Sequence, residues 1–202
     1  MRRLMILLLC CFAPFVRAQA DDALLQNVLA ELGRHAAVRA DFTQTRGNPA
    51  LDKPQVSEGR LLFVLGRGML WQTISPYRET LALTGDRSAR IDAVGKATAI
   101  RGERGVRQVS QMLQGLLGGE LDEAQRQFAV EARGTPAQWT LRFVPKQARM
   151  AQVLASITLS GDDYLRGIAI AMQDGTCTDI RFEHTRDAGP LDALEKRALG
   201  LP

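Results

Sequence analysis

The chain has 202 residues, of which 46% are hydrophobic, and its 26 lysines and arginines against 22 acidic residues give a formal charge of +4. Three of the arginines lie in the first 20 residues, so residues 21–202 carry 23 basic and 22 acidic side chains, a charge of +1. This balance gives no support for nucleic-acid binding, which requires a concentrated basic surface.

Residues 1–20 have the parts of a secretory signal peptide. Arg2 and Arg3 precede an apolar run, and small residues at positions 18 and 20 form a cleavage signature ahead of Asp21. The run is shorter than the roughly 20 apolar residues that cross a membrane. We therefore predict that the chain is exported, is cleaved after Ala20 and folds as one domain over residues 21–202.

The segment after the cleavage position predicts one helix followed mainly by strands. Apolar residues recur at helical spacing from Leu24 to Leu32, and Gly33 ends the pattern. Short runs with strand character follow, separated by turn residues, and their short connections indicate antiparallel pairing. Eleven strands are predicted, at about 37–46, 56–65, 69–74, 77–84, 87–93, 96–101, 127–133, 138–145, 151–160, 164–173 and 176–185.

Two further segments have helical periodicity. Residues 190–200 begin with proline and predict a last helix, and residues 106–117 end at a glycine pair. The apolar stripe of this second segment includes Met112, Leu113, Leu116 and Leu117. Because a wide antiparallel sheet with an apolar face must close or be covered, and so few helices cannot fill it, we expect an apolar concave space under helix 106–117.

The predicted strand at 56–65 differs from the later strands. In strand 138–145, Trp139, Leu141 and Phe143 alternate with polar residues and so share one face. Residues 61–65, by contrast, are all apolar. Both faces of the earlier strand therefore need a cover.

Few residues are suited to catalysis. Cys177 and His184 lie seven apart on one predicted strand, so their side chains point to opposite faces and cannot form a nucleophile–base pair. Asp162 and Asp163 fall in a predicted hairpin turn, and the other histidine, His35, follows a helix. No spacing typical of metal ligands occurs. We therefore predict no enzymatic activity, cofactor or metal, and expect Cys177 to be buried in its strand.

The strand motifs occur in a characteristic order. They are RADFTQ at 39–44, SEGRLLFV at 57–64, MLWQTISP at 69–76, LALTGD at 81–86, WTLRFVPK at 139–146 and GIAIAMQDGTCTDIRFEHT at 167–185. Together they resemble the LolA family of periplasmic outer-membrane lipoprotein carriers, in which a helix precedes F-x-Q, a G-x-L-x-aromatic strand and a tryptophan strand ending in proline.

The resemblance implies a mainly β fold with flanking helices, an unclosed antiparallel half-barrel of about eleven strands with a helical lid. It implies that the second apolar face of residues 61–65 looks into a cavity for acyl chains. Candidate lining residues are Phe42, Leu61, Phe63, Trp71, Trp139, Leu141, Phe143, Ile168, Ile170 and Phe182. Candidate lid residues are Met112, Leu113, Leu116 and Leu117.

The chain departs from the family pattern at the polar group that couples ligand to lid. The family usually places an arginine close before the tryptophan strand, whereas Leu70 precedes Trp71 here. Arg67, in the preceding turn, is the candidate polar latch.

By this resemblance we expect a monomeric periplasmic carrier that moves acylated lipoproteins or another lipid from an inner-membrane donor protein to an outer-membrane acceptor. Two other classes stay open. One is a lipid-sensing regulatory module, like the half-barrel domain of RseB, and the other is an envelope enzyme that modifies lipid. The cargo also stays open between lipoproteins and other lipids, including aryl-polyene conjugates.

Overall fold

The computed structural model describes residues 13–85, 87–92, 94–100, 104–117 and 121–202, which form one antiparallel sheet and five helices. The strands are β1 Ala37–Gly47, β2 Gln55–Val64, β3 Gly68–Ser75, β4 Glu79–Thr84, β5 Arg87–Ile91, β6 Ala97–Ala99, β7 Phe128–Thr135, β8 Gln138–Pro145, β9 Leu154–Gly161, β10 Leu165–Met172 and β11 Cys177–Asp187. The helices are α1 Ala13–Leu32, α2 Arg104–Leu117, α3 Leu121–Gln127, α4 Ala148–Ala151 and α5 Ala193–Ala198.

The sheet consists of two meanders in the order β6-β5-β4-β3-β2-β1-β11-β10-β9-β8-β7. They join where β1 pairs with β11, and every pairing is antiparallel. Within the described residues β6 and β7 are the two edges, so the sheet is open. The predicted eleven strands, their antiparallel order and the unclosed architecture are confirmed.

The helices differ more from the sequence prediction. Helix α1 begins at Ala13 and runs through the position after Ala20, where cleavage stays a prediction. Neither α3 nor α4 was predicted as a separate helix, because one or two turns are too short to establish a helical period. The predicted glycine pair after α2 lies outside the described residues.

One face of the sheet, here called the inner face, is continuously apolar. In β7–β11, the register aligns one row of buried side chains across five strands: Ala132, Leu141, Leu159, Ile168 and Ile180. In β2–β4, two rows are Leu61–Trp71–Leu81 and Phe63–Met69–Leu83. Leu25, Val28 and Leu32 of α1, together with Leu113 and Leu116 of α2, join these rows in one core cluster. The inner face is therefore covered by α1 and α2.

The opposite face, here called the outer face, has a separate, smaller core. Leu62 and Val64 of β2 point there with Leu70 and Ala82, and Leu199 packs on them from the end of the chain. The C-terminal segment therefore covers the second apolar face of β2. The candidate lining residues of this strand, Leu61 and Phe63, lie on the inner face, and a cavity there stays a prediction.

Helix α5 is fixed in place by polar contacts as well as by this core. Its N-cap residue Asp192 and Glu195 form a reciprocal capping box, with Asp192 accepting from the Glu195 backbone at 2.8 Å. Arg39 of β1 pairs with both carboxylate oxygens of Glu195, with Nη2 to Oε2 at 2.7 Å. The hydrogen bond from Arg39 lowers the pKa of Glu195, against the opposing effect of burial.

Cys177 is exposed, which corrects the expectation that it is buried. It opens β11 opposite Gly47 of β1, and that glycine carries no side chain to cover the thiol. A Cβ at position 47 would lie 2.7 Å from the Cys177 Sγ.

The first prediction compares two leucines of the C-terminal segment. Leu199 is 4% exposed and Leu194 is 48% exposed. We expect Leu199→Ala to lower the free energy of unfolding by about 2–4 kcal/mol, since it leaves a cavity between α5 and β2. We expect Leu194→Ala to cost less than about 1 kcal/mol. Urea unfolding measures both, and equal costs would contradict the proposed outer core.

The second prediction concerns acid stability. Because the pKa of Glu195 is lower in the folded chain, its pairing stabilises the fold above its ordinary pKa and is lost as pH falls. We expect Glu195→Gln to be less stable than the wild type at neutral pH, and to lose less stability between about pH 5 and pH 3. Glu31→Gln, which removes an exposed pair with Arg34, is the control and should follow the wild-type profile in urea unfolding. Parallel profiles for Glu195→Gln and the wild type would contradict this role.

Candidate functional site

The structure places the sequence-predicted lining residues on the inner face. Nine of the ten are buried members of one core cluster: Phe42, Leu61, Phe63, Trp71, Trp139, Leu141, Phe143, Ile168 and Phe182. Ile170 packs against the cluster and is only partly buried. The predicted set is therefore brought together on one surface, in the core cluster to which α1 and α2 also contribute.

Stacked aromatic rings mark the middle of this surface. Phe42 of β1 and Trp71 of β3 stack at a centroid distance of 3.9 Å, across the intervening strand β2. They meet because Gly59 of β2 lies between them, opposite Phe42 in register. A Cβ at position 59 would lie 2.7 Å from the Phe42 ring and would collide with the Gln72 carbonyl. The glycine of the G-x-L-x-F motif is therefore required by the aromatic pair.

A second glycine fits under the other tryptophan. A Cβ on Gly161 would lie 2.6 Å from the Trp139 ring. The Trp139 Nε1 donates to the Asp162 carbonyl at 2.6 Å, so its polar edge is satisfied at the rim while the ring stays apolar. Both tryptophans of the chain are thus fixed on the inner face.

Helix α2 contributes the predicted lid residues. Leu113 and Leu116 are buried in the inner-face cluster, and Met112 and Leu117 pack against it while partly exposed. Gly115 lies within the helix, where glycine costs about 1 kcal/mol relative to alanine. Among the described side chains of α2, Leu113 and Leu116 are the two that are buried.

A glutamine, missed by the sequence analysis, attaches α2 to the sheet. The Gln114 Oε1 accepts from the Gly66 backbone at 2.7 Å, and its Nε2 donates to the Val64 and Gly68 carbonyls at 3.0 and 3.3 Å. Gln111, one turn earlier, donates to the Gly85 carbonyl at 3.2 Å. All of these bonds go to the main chain of hairpin turns. The only signal in the sequence is a pair of glutamines three apart beside the apolar stripe.

The predicted latch, Arg67, lies in the same turn. Its side chain is exposed, and its backbone nitrogen donates to the Val64 carbonyl within the turn. The bonds to α2 that the structure records at this turn come from Gln114, so a latching role for Arg67 stays a prediction.

The remaining polar residues do not form a catalytic arrangement in the described part of the chain. His35 bonds Asp187 at 2.6 Å and stacks on Tyr164, whereas His184 bonds Asp41 at 3.0 Å on the outer face. Burial raises the pKa of Asp162, but hydrogen bonds from the Tyr164 backbone and from Arg166 outweigh it and lower the pKa overall, as suits a turn carboxylate.

The described residues contain neither a metal centre nor a membrane-spanning helix. No group of three or more histidine, cysteine or acidic residues is placed to hold a metal ion among the residues that the structure describes. None of the helices, as far as they are described, combines the length and the apolar character needed to cross a membrane.

Comparison with known proteins gives one family match. Residues 17–187 match the family described as "Outer membrane lipoprotein carrier protein LolA-like". No sequence among curated proteins is significantly similar to the chain.

Solved structures share the architecture at low sequence identity. The chain is similar to the complex of Pseudomonas aeruginosa MucA and MucB at 10% identity, covering 87% of this chain and 59% of that one, with a TM-score of 0.50. It is also similar to a LolA superfamily protein from Nitrosomonas europaea at 8% identity, covering 85% of this chain and 97% of that one, with a TM-score of 0.49. At these identities the likeness concerns the fold alone.

The third prediction tests which side chain attaches α2. We expect Gln114→Ala to speed amide hydrogen exchange in α2 by about tenfold or more, because each lost hydrogen bond contributes about 1 kcal/mol. Gln111→Ala removes a single longer bond and should have a smaller effect. Arg67→Ala should leave exchange in α2 unchanged. If Arg67→Ala frees the helix and Gln114→Ala does not, the arginine is the attachment after all.

Proposed function

Because the chain belongs to the family of LolA-like outer-membrane lipoprotein carrier proteins, we propose that it is a carrier that binds acyl chains against its inner face. The observation that carries the proposal is the set of apolar rows across β7–β11 and β2–β4, on which α2 packs through Leu113 and Leu116 among its described side chains. A solid core needs no removable cover, whereas a carrier requires one.

The free energy lost when the leucines of α2 leave the inner face can be compared with the free energy gained when an acyl chain is buried there. Burial of a leucine side chain contributes about 2 kcal/mol, and burial of a methylene group about 0.8 kcal/mol. Displacing Leu113 and Leu116 from the inner face would therefore be offset by about five buried methylenes. An acyl chain of ordinary length has two to three times that number, so it competes effectively with α2 for the same surface.

The polar contacts of the lid fit the same exchange. When α2 moves away, water replaces Gln114 at the backbone of the turn, and no buried charge is left unpaired. Opening then costs mainly the apolar contacts that the ligand replaces. Closing restores three hydrogen bonds with defined geometry, which would return the helix to one position after release.

The setting of this activity follows from the family and from the N-terminal sequence. We infer export to the periplasm, where acylated lipoproteins or other lipids must cross an aqueous space. A donor protein at the inner membrane and an acceptor at the outer membrane would complete the route. The carrier itself performs no covalent chemistry in this proposal.

The fourth prediction uses the two native tryptophans as reporters. Trp71 and Trp139 are the only tryptophans, and both lie on the inner face. We expect dibromostearic acid bound at the inner face to quench their fluorescence, because bromine quenches only at close range. The quenching should saturate at about one ligand per chain, since ligand sites are few per protein. Unbrominated stearic acid should bind competitively and quench little.

Two single variants localise the ligand and act as controls. Trp71→Phe leaves Trp139 as the reporter, and Trp139→Phe leaves Trp71, so quenching in both places the acyl chain between the two halves of the sheet. Circular dichroism checks that each variant is folded. Equal effects of the brominated and unbrominated acids, or quenching that never saturates, would refute acyl binding at the inner face.

A further inference from the structure

The outer face carries an open groove beside α5 that the proposed carrier function does not use. Its volume is about 1290 Å³, and its lining residues come from six neighbouring strands, β11 and β1–β5. With strands about 4.8 Å apart, the groove crosses about 24 Å of sheet. That is the length of about seven residues in extended conformation. The groove is therefore shaped for a segment of chain rather than for a single ion.

Each carboxylate that lines this groove already has a partner, including Glu79, which pairs with Arg90. Glu195 pairs with Arg39, and Asp41 bonds His184 at 3.0 Å. Asp192 accepts from the backbone of Glu195, and Asp92 accepts from the backbone at positions 94 and 96. These acids hold the structure together and have little capacity left for a ligand.

Several arginines of the groove, in contrast, keep free donors. Arg78 and Arg186 are exposed and have no carboxylate partner among the described residues. Arg186 donates only to the His184 carbonyl, at 3.1 Å. The Arg60 Nε lies 3.8 Å from the Asp41 Oδ1, a distance too long for a hydrogen bond, and His184 bonds the other oxygen of Asp41. Each guanidinium has five donors in a planar fork that matches a carboxylate.

A β-bulge directs one of these arginines into the groove. In β11 the register with β1 shifts between Asp41, which pairs with Glu183, and Arg39, which pairs with Arg186. The extra residue lies at His184, whose φ of 51° is unusual for a residue other than glycine. Because successive side chains alternate between faces, this insertion places Arg186 beside Arg39 on the outer face.

The rim of the groove is apolar. Ile74 and Tyr77 line it on the side of the β3–β4 connection, and Leu194 lines it on the side of α5. These side chains are 39%, 64% and 48% exposed. Exposed tyrosine and arginine around a concave surface are enriched at protein–protein interfaces. A ligand that satisfies both features needs carboxylates and apolar groups on one extended chain.

We propose that this groove binds an extended acidic peptide segment of a partner protein, with its carboxylates on Arg60, Arg78 and Arg186 and its apolar side chains against the rim. The site lies on the face of the sheet opposite to the proposed acyl site. The inference is therefore independent of the carrier function. It would allow a partner to hold the chain without blocking the inner face.

The fifth prediction measures this binding with defined probes. Three fluorescein-labelled octapeptides alternate leucine with glutamate, lysine or glutamine, and fluorescence anisotropy reports their binding to the full chain. We expect the glutamate peptide to bind about tenfold or more tightly than the other two, with an affinity that falls as salt is added. Arg78→Glu and Arg186→Glu should each weaken it by about tenfold.

The matched control is Arg87→Glu, which makes the same charge change at an exposed residue of β5 outside the groove. It should change the affinity less than about twofold. Equal binding of the three peptides, no binding of the glutamate peptide at millimolar concentration, or an equal loss in Arg87→Glu would each overturn the proposal. So would a result in which only phosphatidylglycerol vesicles bind and Arg78→Glu abolishes their binding, because the groove would then dock on a membrane.

Discussion

An open sheet of eleven strands has two faces, and both must be withdrawn from water wherever they are apolar. The chain meets this constraint with different elements on the two sides. The inner face is covered by α1 and α2, and the outer face is covered near β2 by the C-terminal segment around Leu199. Strand β2 is therefore the centre of the structure, because it contributes Leu61 and Phe63 to one core and Leu62 and Val64 to the other.

Helices α5 and α2 are attached to the two faces of the sheet by different kinds of contact. Helix α5 has a capping box, a two-pronged ion pair with Arg39 and a buried leucine behind it. Among its described side chains, helix α2 contributes two buried leucines and the amides of Gln111 and Gln114. Since charged, bidentate contacts are stronger than neutral ones, the outer cover serves as a frame. Binding on one side of the sheet can then occur without rebuilding the other.

The number of strands, their antiparallel order and many inner-face residues could be predicted from the sequence, because the signals for them are local. Alternation in β8 identified Leu141 and Phe143 as inner-face residues, and turn residues between strands gave their number and antiparallel order. Helix α5 was predicted, but its packing on Leu62 was not, because a period in one segment does not identify the distant segment it covers. Cys177 was wrongly expected to be buried, because its exposure depends on Gly47 in another strand. Gln114 was missed, since a bond from a side chain to a backbone carbonyl leaves no pattern in the partner sequence.

The bonding of Gln114 to main-chain atoms has an evolutionary consequence. The three partners of Gln114 are main-chain atoms of residues 64, 66 and 68, so the attachment depends on the length and path of the hairpin and hardly on its side chains. Position 67 can change without moving the bonded atoms, whereas Gly66 and Gly68 have positive φ values of 71° and 140°, and an insertion or deletion of one residue would displace the bonded atoms. Homologous chains that keep a glutamine in this position of the helix should therefore vary at position 67, favour glycine at positions 66 and 68, and rarely change the length of the turn.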